Sequence, residues 1–158
     1  MRTNSPFHQN NCSRCPALGA QTAPGDEFCE ILSLRFNIQI ARELCHGHVP
    51  HLVNRRPLEQ WLEHGRIDWE HVDHLPISLG PGVMATLPNG CGMPVIDGNH
   101  RAARALRNRH EFLAFVLDES ETLELLRRSM SIPLADHYWE RLLRSKPHPN
   151  DVHEGELR

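Results

Sequence analysis

A five-residue segment in the middle of the chain, Asp97-Gly98-Asn99-His100-Arg101, constrains the fold most strongly. It follows an apolar run, residues 93–96, and precedes an alanine- and arginine-rich stretch, residues 102–107. This order predicts a strand, a tight glycine turn and a helix that begins near residue 99. Because the first N–H groups of a helix are unpaired and carry partial positive charge, the segment also predicts a seat for a phosphate group.

The flanking sequence predicts a mixture of helices and strands. Two short apolar runs surround an Asn-Gly turn and predict a hairpin, and residues 111–117 predict a further strand. Helical spacing of apolar residues is found over 26–46, from Pro57 onward, and over 101–109, 119–130 and 134–144. Short strands are also predicted within 49–53 and over 75–79. We therefore predict an α+β fold, a small mixed β-sheet with helices on its faces, preceded by a helical, cysteine-containing N-terminal segment.

Composition divides the chain into three parts. Residues 1–47 are predicted to form a cysteine-rich segment and a long helix, residues 48–146 the sheet-containing domain, and residues 147–158 a frayed polar tail. The formal net charge of -3 gives no global attraction to nucleic acid. Since no apolar stretch approaches the length that spans a bilayer and no signal peptide is recognised, we expect a cytoplasmic protein with no membrane partner.

The chain resembles the ParB/sulfiredoxin superfamily in two segments, PVIDGNHRAARAL (residues 94–106) and FLAFVLDE (residues 112–119). Proteins of this superfamily fold as a small mixed sheet with helices on its faces. Many bind a nucleotide with its phosphates at the helix that follows the segment equivalent to residues 97–101, which we call the box. They include ATP-using sulfiredoxins, CTP-binding ParB proteins and a free serine kinase. Sulfiredoxins carry a cysteine before the His-Arg pair, where this chain has Asn99. The box with Asp97 looks most like the kinase branch.

The resemblance implies a nucleotide-binding protein that performs phosphoryl transfer or hydrolysis of a nucleoside triphosphate. The expected cofactors are a nucleotide (ATP, ADP or CTP) and Mg²⁺, and the expected partner is a small-molecule or protein acceptor. Two alternatives stay open. One is a DNA-associated binding module or nuclease, and the other is a non-catalytic regulatory or interaction protein.

Site residues follow from the chemistry of the box. Asp97 and His100 are the expected catalytic residues, because a carboxylate can hold Mg²⁺ or orient a hydroxyl. Phosphate binding is expected from Gly98, Asn99, His100, Arg101 and Arg104. Gly98 lets the backbone approach a phosphate, and arginine can bind phosphate through two N–H groups. Asn99 could instead cap the helix. Other candidates for the general base are Glu59, Glu63, Asp68, Glu70 and Asp73.

A second group of residues predicts a metal site near the amino terminus. Cys12 and Cys15 have the spacing of a zinc knuckle, and Cys29 and His8 are the expected third and fourth ligands of a structural Zn²⁺. A continuous helix over 26–46 would separate Cys29 from Cys45 by about 24 Å, which excludes Cys45 from the same ion. An iron–sulfur cluster and unligated thiols, including a redox pair, are the alternatives.

Overall fold

The computed structural model describes residues 20–63, 70 and 80–145. These residues form a mixed α+β fold, as predicted. Its elements are β1 (Phe28–Ile31), β2 (Leu34–Asn37), α1 (Ile38–Leu44), β3 (His51–Leu52), α2 (Arg55–Glu63), β4 (Gly82–Ala85), β5 (Val95–Asp97), α3 (Asn99–Arg107), β6 (Leu113–Leu117), α4 (Glu119–Ser129) and α5 (Ile132–Arg144). The strand predicted over 75–79 and the polar tail lie outside the described residues.

The long helix predicted over 26–46 is wrong, because its first half is a β-hairpin. Strands β1 and β2 pair antiparallel, with Phe28 opposite Asn37 and Ile31 opposite Leu34. Leu32 and Ser33 form the turn with φ values of 51° and 69°, in the left-handed region that favours glycine. Leucine and serine give no local signal for such a turn. The three-and-four spacing of apolar residues therefore matched a helix that the chain does not form.

Helix α1 begins where Asn37 caps it. The Asn37 side chain is fully buried, and its Oδ1 accepts a hydrogen bond from the Ile40 N–H at 3.1 Å. Its Nδ2 donates to Asp26 at 2.7 Å, and its own N–H donates to Ser129 Oγ in α4 at 2.9 Å. Because a buried amide must have its hydrogen bonds satisfied, this network fixes the direction in which α1 leaves the hairpin.

The main sheet has four strands in the order β3-β6-β4-β5. The central pair β4–β6 is parallel, while β3–β6 and β4–β5 are antiparallel, so the sheet is mixed as predicted. A register shift between Val83 and Met84 places Val83 opposite Asp97 and Met84 opposite Val95. Such an irregularity changes where a strand aims its side chains. Here it occurs next to Asp97, at the end of β5.

Apolar side chains cover both faces of the sheet. Along β4 and β5 the residues alternate, so that Val83 and Ile96 belong to one core while Met84 and Val95 belong to the other. The first core packs the sheet against the hairpin, α1, α4 and α5. The second packs it against α2 and α3, including Ala102 of α3. Described residues on both sides of position 47 thus contribute to the first core.

The two C-terminal helices lie near their predicted bounds, and a side chain caps the start of each. Asp118 caps α4 in a reciprocal pair with Glu121, and Ser131 caps α5. None of the helices in the described ranges is long and apolar enough to cross a membrane.

The variant Gly82→Ala tests the close packing of β4 against Asp97 and Phe112. A methyl group at this position would lie 2.6 Å from the Asp97 carbonyl oxygen and 2.6 Å from the Phe112 ring. Since strand backbone must move to admit it, we expect a loss of about 1–3 kcal/mol in the free energy of unfolding, measured by urea denaturation. Ser120→Ala at an exposed position of α4 is the control and should change stability by less than about 0.5 kcal/mol. Equal stability of the two variants would contradict the close approach.

Candidate functional site

The predicted strand–turn–helix is present at residues 97–101. Asp97 ends β5, Gly98 adopts φ 95° and Asn99 begins α3. A side chain at position 98 would meet the Gly82 Cα at 3.1 Å and the Arg101 guanidinium at 3.1 Å. Both the positive φ and the crowding therefore require glycine here. Gly98 has no side chain with which to cap α3, and no side-chain hydrogen bond caps the helix at that position.

Asp97 lies between two arginines that come from different parts of the fold. Its Oδ1 is 3.3 Å from Nη2 of Arg101, four residues later on α3. Its Oδ2 accepts a hydrogen bond from Nε of Arg42 on α1 at 3.1 Å. The Asp97 side chain is 14% exposed, so both ion pairs form where water screens them only partly. Each carboxylate oxygen therefore already has a cationic partner.

Arg101 folds back from α3 toward the sheet. Its Nη1 donates to the carbonyl oxygens of Gly80 at 3.0 Å and Pro81 at 3.2 Å, in addition to the contact with Asp97. Its side chain is only 18% exposed. These contacts hold the guanidinium beside the glycine turn, at the start of the helix.

Asn99 connects α3 to the neighbouring helix α2. Its Oδ1 accepts a hydrogen bond from Trp61 Nε1 at 3.1 Å, and its Nδ2 donates to the Val95 carbonyl at 3.0 Å. Both ends of the amide thus have protein partners, and its predicted contact with phosphate stays a prediction. The hydrogen bond to Asn99 places the Trp61 indole against the first turn of α3.

The remaining cationic residues of the box follow along α3. His100 is half-buried in the first turn of the helix. Arg104, one turn later, is also half-buried, and its Nη1 atom is buried with no hydrogen-bond partner among the described residues. Arg107 is exposed. Among Arg101, Arg104 and Arg107, only Arg107 is therefore fully exposed to solvent.

The other candidates for the general base lie outside the box. Glu59 is half-exposed on α2 and pairs with Arg55 at 2.9 Å, as an ordinary ion pair of neighbouring helical turns. Glu70 is exposed. The side chain of Glu63, together with Asp68 and Asp73, lies outside the described residues. Asp97 belongs to the box, and its described contacts are with Arg42 and Arg101.

Two cysteines lie within the electrostatic influence of Asp97. Burial raises the pKa of the Cys29 thiol to about 11, and the negative charge of Asp97 adds to the shift. Burial likewise raises the pKa of Cys45 to about 11, with further contributions from Glu121 and Asp97. The prediction that one continuous helix separates Cys29 from Cys45 is wrong, because Cys29 lies on β1 of the hairpin and Cys45 follows α1. Both thiols contact the first core.

Most of the predicted zinc ligands lie outside the described residues. His8, Cys12 and Cys15 lie outside the described residues, and Cys29 is half-buried on β1. Within residues 20–63, 70 and 80–145, no group of three or more histidine, cysteine or acidic side chains is arranged to hold a metal ion. The N-terminal site stays a prediction.

Sequence reasoning missed Arg42 as part of the site. It lies 55 positions before Asp97, on a helix whose true start was hidden by the incorrect prediction over 26–46. Gly82 was also missed, since its closeness to Asp97 depends on strand pairing. The chain contains no local pattern that reports either contact.

Comparison of the chain with protein-family models, with curated proteins and with solved structures gives no match. The resemblance to the ParB/sulfiredoxin superfamily therefore stays a prediction that rests on the segments 94–106 and 112–119.

The raised pKa of Cys45 predicts how this thiol titrates. The difference in thiolate absorbance between the natural sequence and Cys45→Ala should rise with a midpoint near pH 11 in the folded protein, against about 9.0 for an unperturbed thiol. Because the folded state holds the proton more tightly, this thiol's contribution to stability is present below pH 9.0 and is lost as pH rises toward 11. The same titration in urea is the control. A midpoint near 9.0 in both states would contradict the buried placement.

Proposed function

We propose that the protein binds a nucleotide whose phosphates lie at the start of α3, and that it transfers or hydrolyses a terminal phosphate. The observation that carries the proposal is the group formed by Asp97, Arg42 and Arg101 beside the Gly98 turn. A helix N-terminus and adjacent guanidinium groups provide complementary positive charge for phosphate oxygens.

The charges around the turn support an anionic ligand. Arg42 and Arg101 both contact the single carboxylate of Asp97, and Arg104 lies one turn further along α3. The Nη1 atom of Arg104 is buried with no hydrogen-bond partner in the described part of the chain, which is costly because its N–H groups lose their hydrogen bonds with water. A phosphate chain would supply negative charge and acceptor oxygens for these guanidinium groups.

Each residue of the box has a role in this proposal. Gly98 allows the backbone to approach the phosphates, and His100 and Arg101 bind their oxygens. Asp97 holds Mg²⁺ or orients the attacking hydroxyl of a small-molecule or protein acceptor, or of water. Positioning and charge neutralisation account for most of the catalysis in phosphoryl transfer, so few side chains are needed. A carboxylate suits Mg²⁺, which prefers oxygen ligands.

Nucleotide binding is the first test. ATP, ADP and CTP, each with and without Mg²⁺, should raise the melting temperature of the protein if they bind its native state. Calorimetric titration of the same ligands gives the affinities. If none of them binds, the proposed function is rejected.

Arg101→Gln should weaken nucleotide binding about tenfold or more, because a hydrogen bond to a charged phosphate contributes about 1.5–3 kcal/mol. Glutamine keeps an N–H donor for the carbonyls of Gly80 and Pro81, which limits the effect on folding. Circular dichroism checks the fold, and calorimetry measures the affinity. Arg144→Gln, at an exposed position of α5, is the matched control and should bind as the natural sequence does. Unchanged affinity in Arg101→Gln would remove this residue from the phosphate site.

Trp61 provides a reporter for the same site. Since its indole N–H donates to Asn99 in the first turn of α3, a nucleotide bound there should change its fluorescence. Trp61→Phe should abolish the change, while Trp139→Phe, in the first core, should preserve it. A nucleotide-dependent signal that survives in Trp61→Phe would indicate binding away from α3.

A further inference from the structure

Arg42 approaches Asp97 from the opposite side of the sheet to Arg101. Its helix α1 places Ile38, Ile40 and Ala41 in the first core, whereas α3 packs Ala102 and Ala105 into the second. The Asp97 carboxylate joins the two guanidinium groups at 3.1 Å and 3.3 Å. The two arginines are therefore neighbours in space although they belong to different layers.

The two arginines are held very differently. Arg101 contacts Asp97 and the carbonyl oxygens of Gly80 and Pro81, and its side chain is 18% exposed. The Arg42 side chain is 52% exposed, and its hydrogen bond to Asp97 is donated by Nε. Its two Nη groups make no hydrogen bond with any described residue. Arg101 is thus fixed in place, while Arg42 has four N–H donors available and little that prevents it from turning.

The contact with Asp97 also conflicts with the chemistry proposed for that carboxylate. Both of its oxygens accept a guanidinium contact in this structure. A carboxylate that holds Mg²⁺ or orients a hydroxyl needs an oxygen facing the ligand. Of the two arginines, Arg42 leaves at the lower cost, because its half-exposed guanidinium regains water, whereas that of Arg101 is 18% exposed and also bound to two backbone carbonyls.

We infer that Arg42 is a specificity residue that exchanges Asp97 for the terminal phosphate of a nucleoside triphosphate. This inference rests on the proposed function. Arg101 and the start of α3 bind the phosphates common to diphosphates and triphosphates, and Arg42 binds the additional terminal phosphate through its Nη groups. The exchange releases Oδ2 of Asp97 on the ligand side. Discrimination between triphosphate and diphosphate thus depends on Arg42, while binding of the shared phosphates does not.

The test compares the affinities of ATP and ADP, and of CTP and CDP, for the natural sequence and for Arg42→Gln, with Mg²⁺ present throughout. We expect Arg42→Gln to lose about tenfold or more in triphosphate affinity and to keep diphosphate affinity within about twofold. Arg42→Lys, which keeps the charge without the planar fork, should lie between the two. Arg144→Gln is the matched control, and circular dichroism with a thermal melt checks that each variant is folded.

The outcomes separate the two proposals. An equal loss of triphosphate and diphosphate affinity, or no loss at all, overturns the role of Arg42 and leaves the nucleotide site in place. If the natural sequence binds none of these nucleotides, both proposals fail. If Arg42→Gln does not fold, the ratio of triphosphate to diphosphate affinity in Arg42→Lys decides, and a ratio equal to that of the natural sequence overturns the inference.

Discussion

The carboxylate of Asp97, held between Arg42 and Arg101, is the interaction on which the architecture of the site depends. It lies at the end of an edge strand and joins a helix from each side of the sheet. The pairs are only partly screened by water, so removing one partner would leave charge without full compensation. Glycine at position 98 lets Arg101 lie beside Asp97, because a side chain at position 98 would occupy the space that Arg101 fills.

The same carboxylate affects the interior around it. Its charge adds to the burial that keeps Cys29 and Cys45 protonated well above neutral pH. Thiols in this state are weak nucleophiles and behave as small apolar residues within the first core.

Much of the fold could be predicted from sequence because its signals are local. The Asn-Gly hairpin, the strand over 113–117 and the helices capped by Asp118 and Ser131 appear close to their predicted positions. The prediction over 26–46 failed because a two-residue turn at Leu32 and Ser33 interrupts a pattern that is equally compatible with a helix. Burial of Leu34 and Phe36 against the sheet offsets the backbone cost of that turn, and such packing has no local signature.

The Asp97–Arg101 turn follows from local sequence, since a strand end, a required glycine and a helix start involve only neighbouring residues. The groups that meet this turn are brought there by packing: Arg42 from 55 positions earlier, Trp61 from α2 and the backbone of Gly82. The physical reason is that dihedral preferences and caps act over a few residues, whereas ion pairs and close approaches between layers depend on how two cores pack against one sheet.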